Sequence, residues 1–135
     1  VSPEVIDVHN ILNASIMAMH YALDHLTVRP ELILVDGNKF HPYQSIPHEC
    51  IVKGDAKLLS IACASILAKN YRDRLMITLH KEFPEYGWST NMGYATKQHQ
   101  EALNRFGPTI YHRKSFRLDY SRCKKQSCTC NVEKI

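Results

Sequence analysis

Two short apolar runs, each stopping on an aspartate, constrain this chain more than any other feature. Leu32-Ile33-Leu34-Val35 ends abruptly at Asp36-Gly37-Asn38, and Cys50-Ile51-Val52 ends at Lys53-Gly54-Asp55. A continuous apolar run of this length, closed by a turn, reads as a buried strand. A polar loop with Pro42 and Pro47 joins the two, and helical patterns lie on either side. Leu12, Ile16, Met19, Leu23 and Leu26 draw one apolar stripe, with Asn10 as its cap. Ser2-Pro3-Glu4 opens an earlier, shorter helix, because Ser caps and Pro suits the first turn. From Ala56 to Phe83 no Pro or Gly interrupts a second helical pattern. Its small residues Ala62, Ala64, Ser65 and Ala68 suit close packing against a sheet, and a kink or boundary is expected near Asn70. Thr96 caps a third helix through Phe106, which Gly107-Pro108 ends. Strands alternating with helices predict an α/β architecture. Two strands are few for a sheet covered on both faces, so further strands are expected from outside this chain.

A length of 135 residues suffices for one core and not for two. Apolar residues at 44% and charged residues at 22% exclude intrinsic disorder as the general state. Seventeen Lys and Arg against thirteen Asp and Glu give +4, which permits a polyanionic partner without demanding one. No stretch is long and apolar enough for a membrane span, and Val1-Ser2-Pro3-Glu4 has no signal-peptide pattern, so a cytoplasmic location is expected. Cys50 and Cys63 lie inside apolar segments, where a thiol serves as a small hydrophobe. Cys123, Cys128 and Cys130 crowd a polar tail over 120–135. Their spacing lacks a second paired knuckle, so a disordered end is expected there ahead of a zinc site. The eight histidines show no zinc-binding spacing.

In open α/β sheets, functional groups gather at the carboxyl ends of strands, where Asp36 and Asp55 both fall. Neighbouring strands would bring the two carboxylates together, and a divalent cation would offset their repulsion. Oxygen donors select Mg²⁺ or Mn²⁺ over zinc. Such an ion on a rigid sheet serves phosphoryl transfer, as in a nuclease. Asp36-Gly37 also fits a plain turn, and Asp55 a plain helix cap. Spacing alone favours that second reading.

Longer motifs shift the balance. Leu34-Val35-Asp36-Gly37-Asn38, Val52-Lys53-Gly54-Asp55, and Ser60 through Lys69 followed by Arg72-Asp73 resemble the central signature of the bacterial ribonuclease HII family. Phe83-Pro84-x-Tyr86-Gly87, Gly93-Tyr94-x-Thr96-x-x-His99 and His112-Arg113-x-Ser115-Phe116 fit the same family, as does Ile6-Asp7-x-x-Asn10-Ile11-Leu12. The resemblance runs from Pro3 to about Phe116. It implies a ribonuclease H-like fold, a mixed sheet flanked by helices, over residues 1–119. It also implies a monomeric endonuclease acting on RNA-DNA hybrids and on duplex DNA that contains ribonucleotides, with four carboxylates binding Mn²⁺ or Mg²⁺. Asp36 is similar to the third carboxylate and Asp55 to the fourth. Tyr94 resembles the tyrosine that packs at the ribose-to-deoxyribose junction, a contact in which an aromatic face reads stacking and sugar geometry.

The family's adjacent Asp-Glu pair, on a first strand within a glycine- and arginine-rich motif, has no counterpart, and no Asp-Glu dipeptide occurs. A truncated chain is therefore expected, with missing strands, poor solubility or self-association. Two alternatives stand beside the intact endonuclease: an inactive remnant with weak hybrid binding, and another metal nuclease of the same superfold, such as a junction resolvase. Lys53, Lys69, Arg72 and Arg74 suit phosphate contacts, although a solvated helix face explains Arg72 and Arg74 equally. Asp73 is expected in an ion pair, Tyr86 and Trp88 in loop packing, and His112-Arg113 in surface packing or near nucleic acid.

Overall fold

The structure is a computed structural model that describes residues 1–115. Helix α1 (Pro3–Asp24) is broken at Asn10, whose φ of 65° and ψ of 165° lie outside helical space. Asn10 Oδ1 accepts from the N–H groups of Leu12 and Asn13, at 3.0 and 3.1 Å, so a short first helix passes into a capped second one. Both the early helix and the Asn10 cap agree with the sequence pattern.

Strands β1 (Ile33–Asp36) and β2 (His48–Ile51) form a two-stranded parallel sheet, with Ile33 opposite His48 and Asp36 opposite Ile51. A parallel pair needs a crossover, commonly a helix. Here the loop 37–47 makes it, turning through an antiparallel bridge between Tyr43 and Ile46. Tyr43 and Ile46 fold back to bury Ile33 and Val35, and Leu23 and Phe40 close this small core. The tyrosine hydroxyl donates to Asp24 on α1, which ties the loop to the first helix.

A 3-10 turn (Gly54–Ala56) leads into α2 (Leu59–Glu82), a single continuous helix. The kink expected near Asn70 is absent, because an asparagine without Pro or Gly beside it costs a helix too little to break it. A second 3-10 turn (Pro84–Tyr86), the one-turn helix α3 (Trp88–Asn91) and α4 (Lys97–Phe106) complete the described chain. Thr96 caps α4, accepting from His99 N–H at 3.3 Å. The second core joins Tyr86, Trp88, Ala102 and Leu103, with Met76, Leu79 and Phe83 of the α2 end packed against it. Tyr86 and Trp88 stack at 5.2 Å, and His99 and His112 stack at 5.3 Å beside them. Loop packing, as expected for these aromatics, is their role.

Much of α2 meets nothing among the described residues. Ile61 is its only buried residue, whereas Leu59, Leu67 and Tyr71 are 81%, 71% and 77% exposed. Ala64, Ser65 and Ala68, expected against a sheet, are exposed, and so are Cys50 and Cys63. No second layer of sheet covers them among the described residues. Strand β1 likewise buries Ile33 and Val35 fully and leaves Leu34 half-covered. The α/β expectation holds, with a sheet of one parallel pair among the described residues. No described helix is long and apolar enough to cross a membrane. The tail cysteines and the boundary at 119–120 lie outside the described residues.

Candidate functional site

Asp36 ends β1, and Asp55 follows β2 by four residues, so the parallel pairing places both at the same end of the sheet. The ladder continues one step past the strands, with Gly37 N–H donating to Ile51 C=O at 3.0 Å. The chain then turns at Lys53, whose φ of 56° and ψ of 46° are left-handed. A non-glycine residue held in that region carries local strain, of a kind concentrated at functional sites. The turn delivers Gly54 N–H to Asp36 Oδ1 at 2.8 Å, which fixes the carboxylate with one backbone donor. A side chain at 54 would force Ile61 to shift: a Cβ there would sit 2.6 Å from Ile61 Cδ1, and at an ordinary contact distance of 3.5 Å from Asp36 Oδ1. The Gly54 backbone is thus wedged between the first aspartate and the start of α2. Both aspartates, and Lys53 between them, are exposed.

These two carboxylates offer hard oxygen donors to a cation such as Mg²⁺ or Mn²⁺, which takes one or two protein carboxylates and fills its remaining positions with water and phosphate oxygens. The donor chemistry therefore fits. No group of three or more His, Cys, Asp or Glu able to hold a metal occurs among the described residues.

A second group of side chains lies farther along α2. From Ile61 to Arg72 is about 16 Å along a helix axis. Here Lys69 pairs with Asp73 one turn on, and Asp73 Oδ1 lies 3.8 Å from Arg72 Nη2. Asp73 is in an ion pair, as expected. The Arg72 guanidinium carbon stands 4.7 Å from the centre of the Tyr94 ring, and its nitrogens donate to Tyr94 Oη and Met92 C=O, each at 3.3 Å. Three of the residues singled out from sequence are thus brought together, Lys69 and Arg72 on either side of Asp73 and Tyr94 against Arg72. Asp36, Lys53 and Asp55 form the other group.

Sequence reading missed Asp7 as a tether. Its carboxylate accepts from the N–H groups of Lys114 and Ser115, at 2.8 and 3.0 Å, and from Ser115 Oγ at 2.5 Å. Those bonds hold its pKa below the ordinary carboxylate value, the Ser115 hydroxyl contributing most. Asp7 and Ser115 both fall within recognised motifs, yet neither motif reveals that the two touch across more than a hundred residues. In the aromatic core, His112 Nδ1 accepts from Thr109 N–H at 3.0 Å, while burial, and then the neighbouring His99, push its pKa down. His112, expected in surface packing or near nucleic acid, lies instead against Tyr86, Trp88 and His99 in the aromatic core.

A family model of Ribonuclease HII matches residues 2–123. A Ribonuclease HII from Christiangramia forsetii is 62% identical over 113 residues, which cover 84% of this chain and 57% of that protein. The Phocaeicola vulgatus protein of the same name is 58% identical over 118 residues, covering 87% and 59%. One from Chloroherpeton thalassium is 52% identical over 118 residues, covering 87% and 58%. The chain spans less than three-fifths of the length of these curated relatives. A match over nearly the whole of this chain, carrying the two strand-end aspartates and the Gly93-Tyr94 loop with it, shows that the chain belongs to the Ribonuclease HII family.

Proposed function

We propose that this chain is the carboxyl-terminal part of an endonuclease that hydrolyses the RNA strand of RNA-DNA hybrids and cuts 5′ of ribonucleotides embedded in duplex DNA. The reading rests chiefly on the Asp36 to Gly54 contact, which ties the ends of two parallel strands together, with Asp36 and Asp55 at the same end of the sheet. These two residues would hold Mn²⁺ or Mg²⁺, and the bound ion would activate water and neutralise charge on the leaving oxygen. Two carboxylates are half of the set that the family resemblance implies, so the remaining ligands belong to sequence outside these 135 residues. The exposed apolar face of α2 and the two-stranded sheet fit that arrangement, since both offer surface for further strands.

Tyr94, 61% exposed, is suited to lie against a sugar at the ribose-to-deoxyribose junction. Lys53 and Lys69 supply positive charge for phosphates, which sets duplex register without reading sequence. Duplex DNA as a substrate fits a cytoplasmic enzyme, and the complete protein would work as a monomer once its apolar face is covered by its own chain. In this reading the 135-residue chain is inactive alone.

The test is cleavage of a DNA duplex carrying one ribonucleotide, with Mn²⁺ or with a chelator. This chain should not cut, and the chain completed by the amino-terminal segment of the Christiangramia forsetii relative should cut only with metal. Metal-dependent cutting by this chain alone would sink the incomplete-site reading. No cutting by the completed protein would sink the endonuclease reading.

A further inference from the structure

Tyr94 is held in two different ways by its surroundings. Its backbone is fixed from below: Tyr94 N–H donates to Asn91 C=O at 2.8 Å, Gly93 N–H donates to Asn91 Oδ1 at 2.9 Å, and the buried Asn91 side chain donates to Tyr86 C=O at 2.7 Å. Met92 and Gly93 both take left-handed φ, of 48° and 79°, so the loop is a tight, defined turn. The ring is another matter, because it stands in solvent. Its only described polar and ring contacts are those of Arg72.

From this arrangement we infer that Arg72 is a positioning residue for Tyr94: its guanidinium clamps the ring and the Met92 carbonyl together and so sets the angle at which Tyr94 meets a sugar. The inference rests on the junction reading of Tyr94 given above. A planar guanidinium suits the task, since it stacks on an aromatic face while donating to two oxygens in fixed directions. Asp73 Oδ1 lies 3.8 Å from the guanidinium, with Lys69 on its other carboxylate oxygen, so it adds a nearby negative charge but no hydrogen bond. A loose exposed tyrosine would sample several rotamers, and a junction contact of one geometry would be populated only part of the time. Phosphate binding by Arg72 predicts something different: charge would matter, planarity would matter little, and the effect would be independent of Tyr94.

Two measurements decide it. In this chain with ¹³C-labelled tyrosine, Arg72→Ala and Arg72→Lys should both shift the Tyr94 ring resonances, because lysine keeps the charge and loses the planar contact. In the completed protein, both variants should lower the preference for a single embedded ribonucleotide over a continuous hybrid by about fivefold, the scale of one partly exposed cation–π contact. In a Tyr94→Ala background neither should lower it further. Unmoved Tyr94 resonances in both Arg72 variants would overturn the inference. So would an equal loss of preference in the Tyr94→Ala background, which would mean that Arg72 touches the duplex directly. If Tyr94→Ala leaves the preference intact while the Arg72 variants still move the ring, the junction reading fails and the clamp has no role in specificity.

Discussion

Asp36 Oδ1 accepts a hydrogen bond from the backbone of Gly54 at 2.8 Å, so the carboxylate that ends β1 is aimed by the turn that follows β2. A Cβ at 54 would meet Ile61 Cδ1 at 2.6 Å, while Asp36 Oδ1, at 3.5 Å, stays at ordinary contact distance. Gly54→Ala should destabilise the fold by about 1–3 kcal/mol, the usual cost of overpacking. Adding Ile61→Val removes the clashing Cδ1 and should return part of that loss. Denaturant midpoints of the single and double variants check it, and purely additive losses would refute the wedge.

Asp36→Asn keeps an oxygen able to accept from Gly54 and loses the negative charge. Cleavage by the completed protein with Mn²⁺ should fall at least about a hundredfold, the scale of losing one electrostatic stabiliser at an active site. Thermal stability should change little. Surviving activity would remove Asp36 from the mechanism.

Asp7 docks Lys114 and Ser115 onto α1 through its ionised form. A carboxyl whose pKa is depressed in the fold adds stability that is present above its unfolded value of 3.8 and is lost as pH falls through the lower, folded value. Protection of the Lys114 and Ser115 amides against hydrogen exchange, relative to the intrinsic rate at each pH, should therefore hold at neutral pH and fall in acid below pH 3.8. Asp7→Asn should lower it at neutral pH and flatten the acid response.

His112 carries the opposite kind of group with the same sign of dependence. Burial depresses its pKa below 6.5, so between the folded value and 6.5 the unfolded chain binds the extra proton. Stability should rise with pH up to about 6.5 and level off above it, as unfolding midpoints at pH 5 and pH 8 would show. His112→Asn keeps an acceptor for Thr109 and should shrink the difference between those midpoints.

Leu59, Leu67 and Tyr71 expose an apolar stripe along α2. This chain alone should self-associate, and Leu67→Lys should reduce the effect, as sedimentation velocity would reveal. A monodisperse monomer that melts cooperatively without the substitution would show that the stripe is harmless in water.

Local chemistry made several features legible in sequence. The Asn10 cap, the two strands, the Thr96 cap and the aspartates at the strand ends all depend on residues within a few positions of one another, where backbone propensity and turn chemistry act directly. Other expectations failed for reasons of the same kind. Ala64, Ser65 and Ala68 have the right size for close packing, yet size cannot supply a partner layer, and Cys50 and Cys63 are exposed for want of one.

The sequence by itself determined the element types, their order, the paired aspartates and, through its motifs, the family. Only the tertiary structure decided which distant groups meet: Asp7 with Ser115, Arg72 with Tyr94, Gly54 with both Asp36 and Ile61, His99 with His112. Such contacts join elements that helix and strand periodicity describe one at a time. Their distances depend on how the loops return the chain, and that return is set by packing rather than by any neighbouring residue.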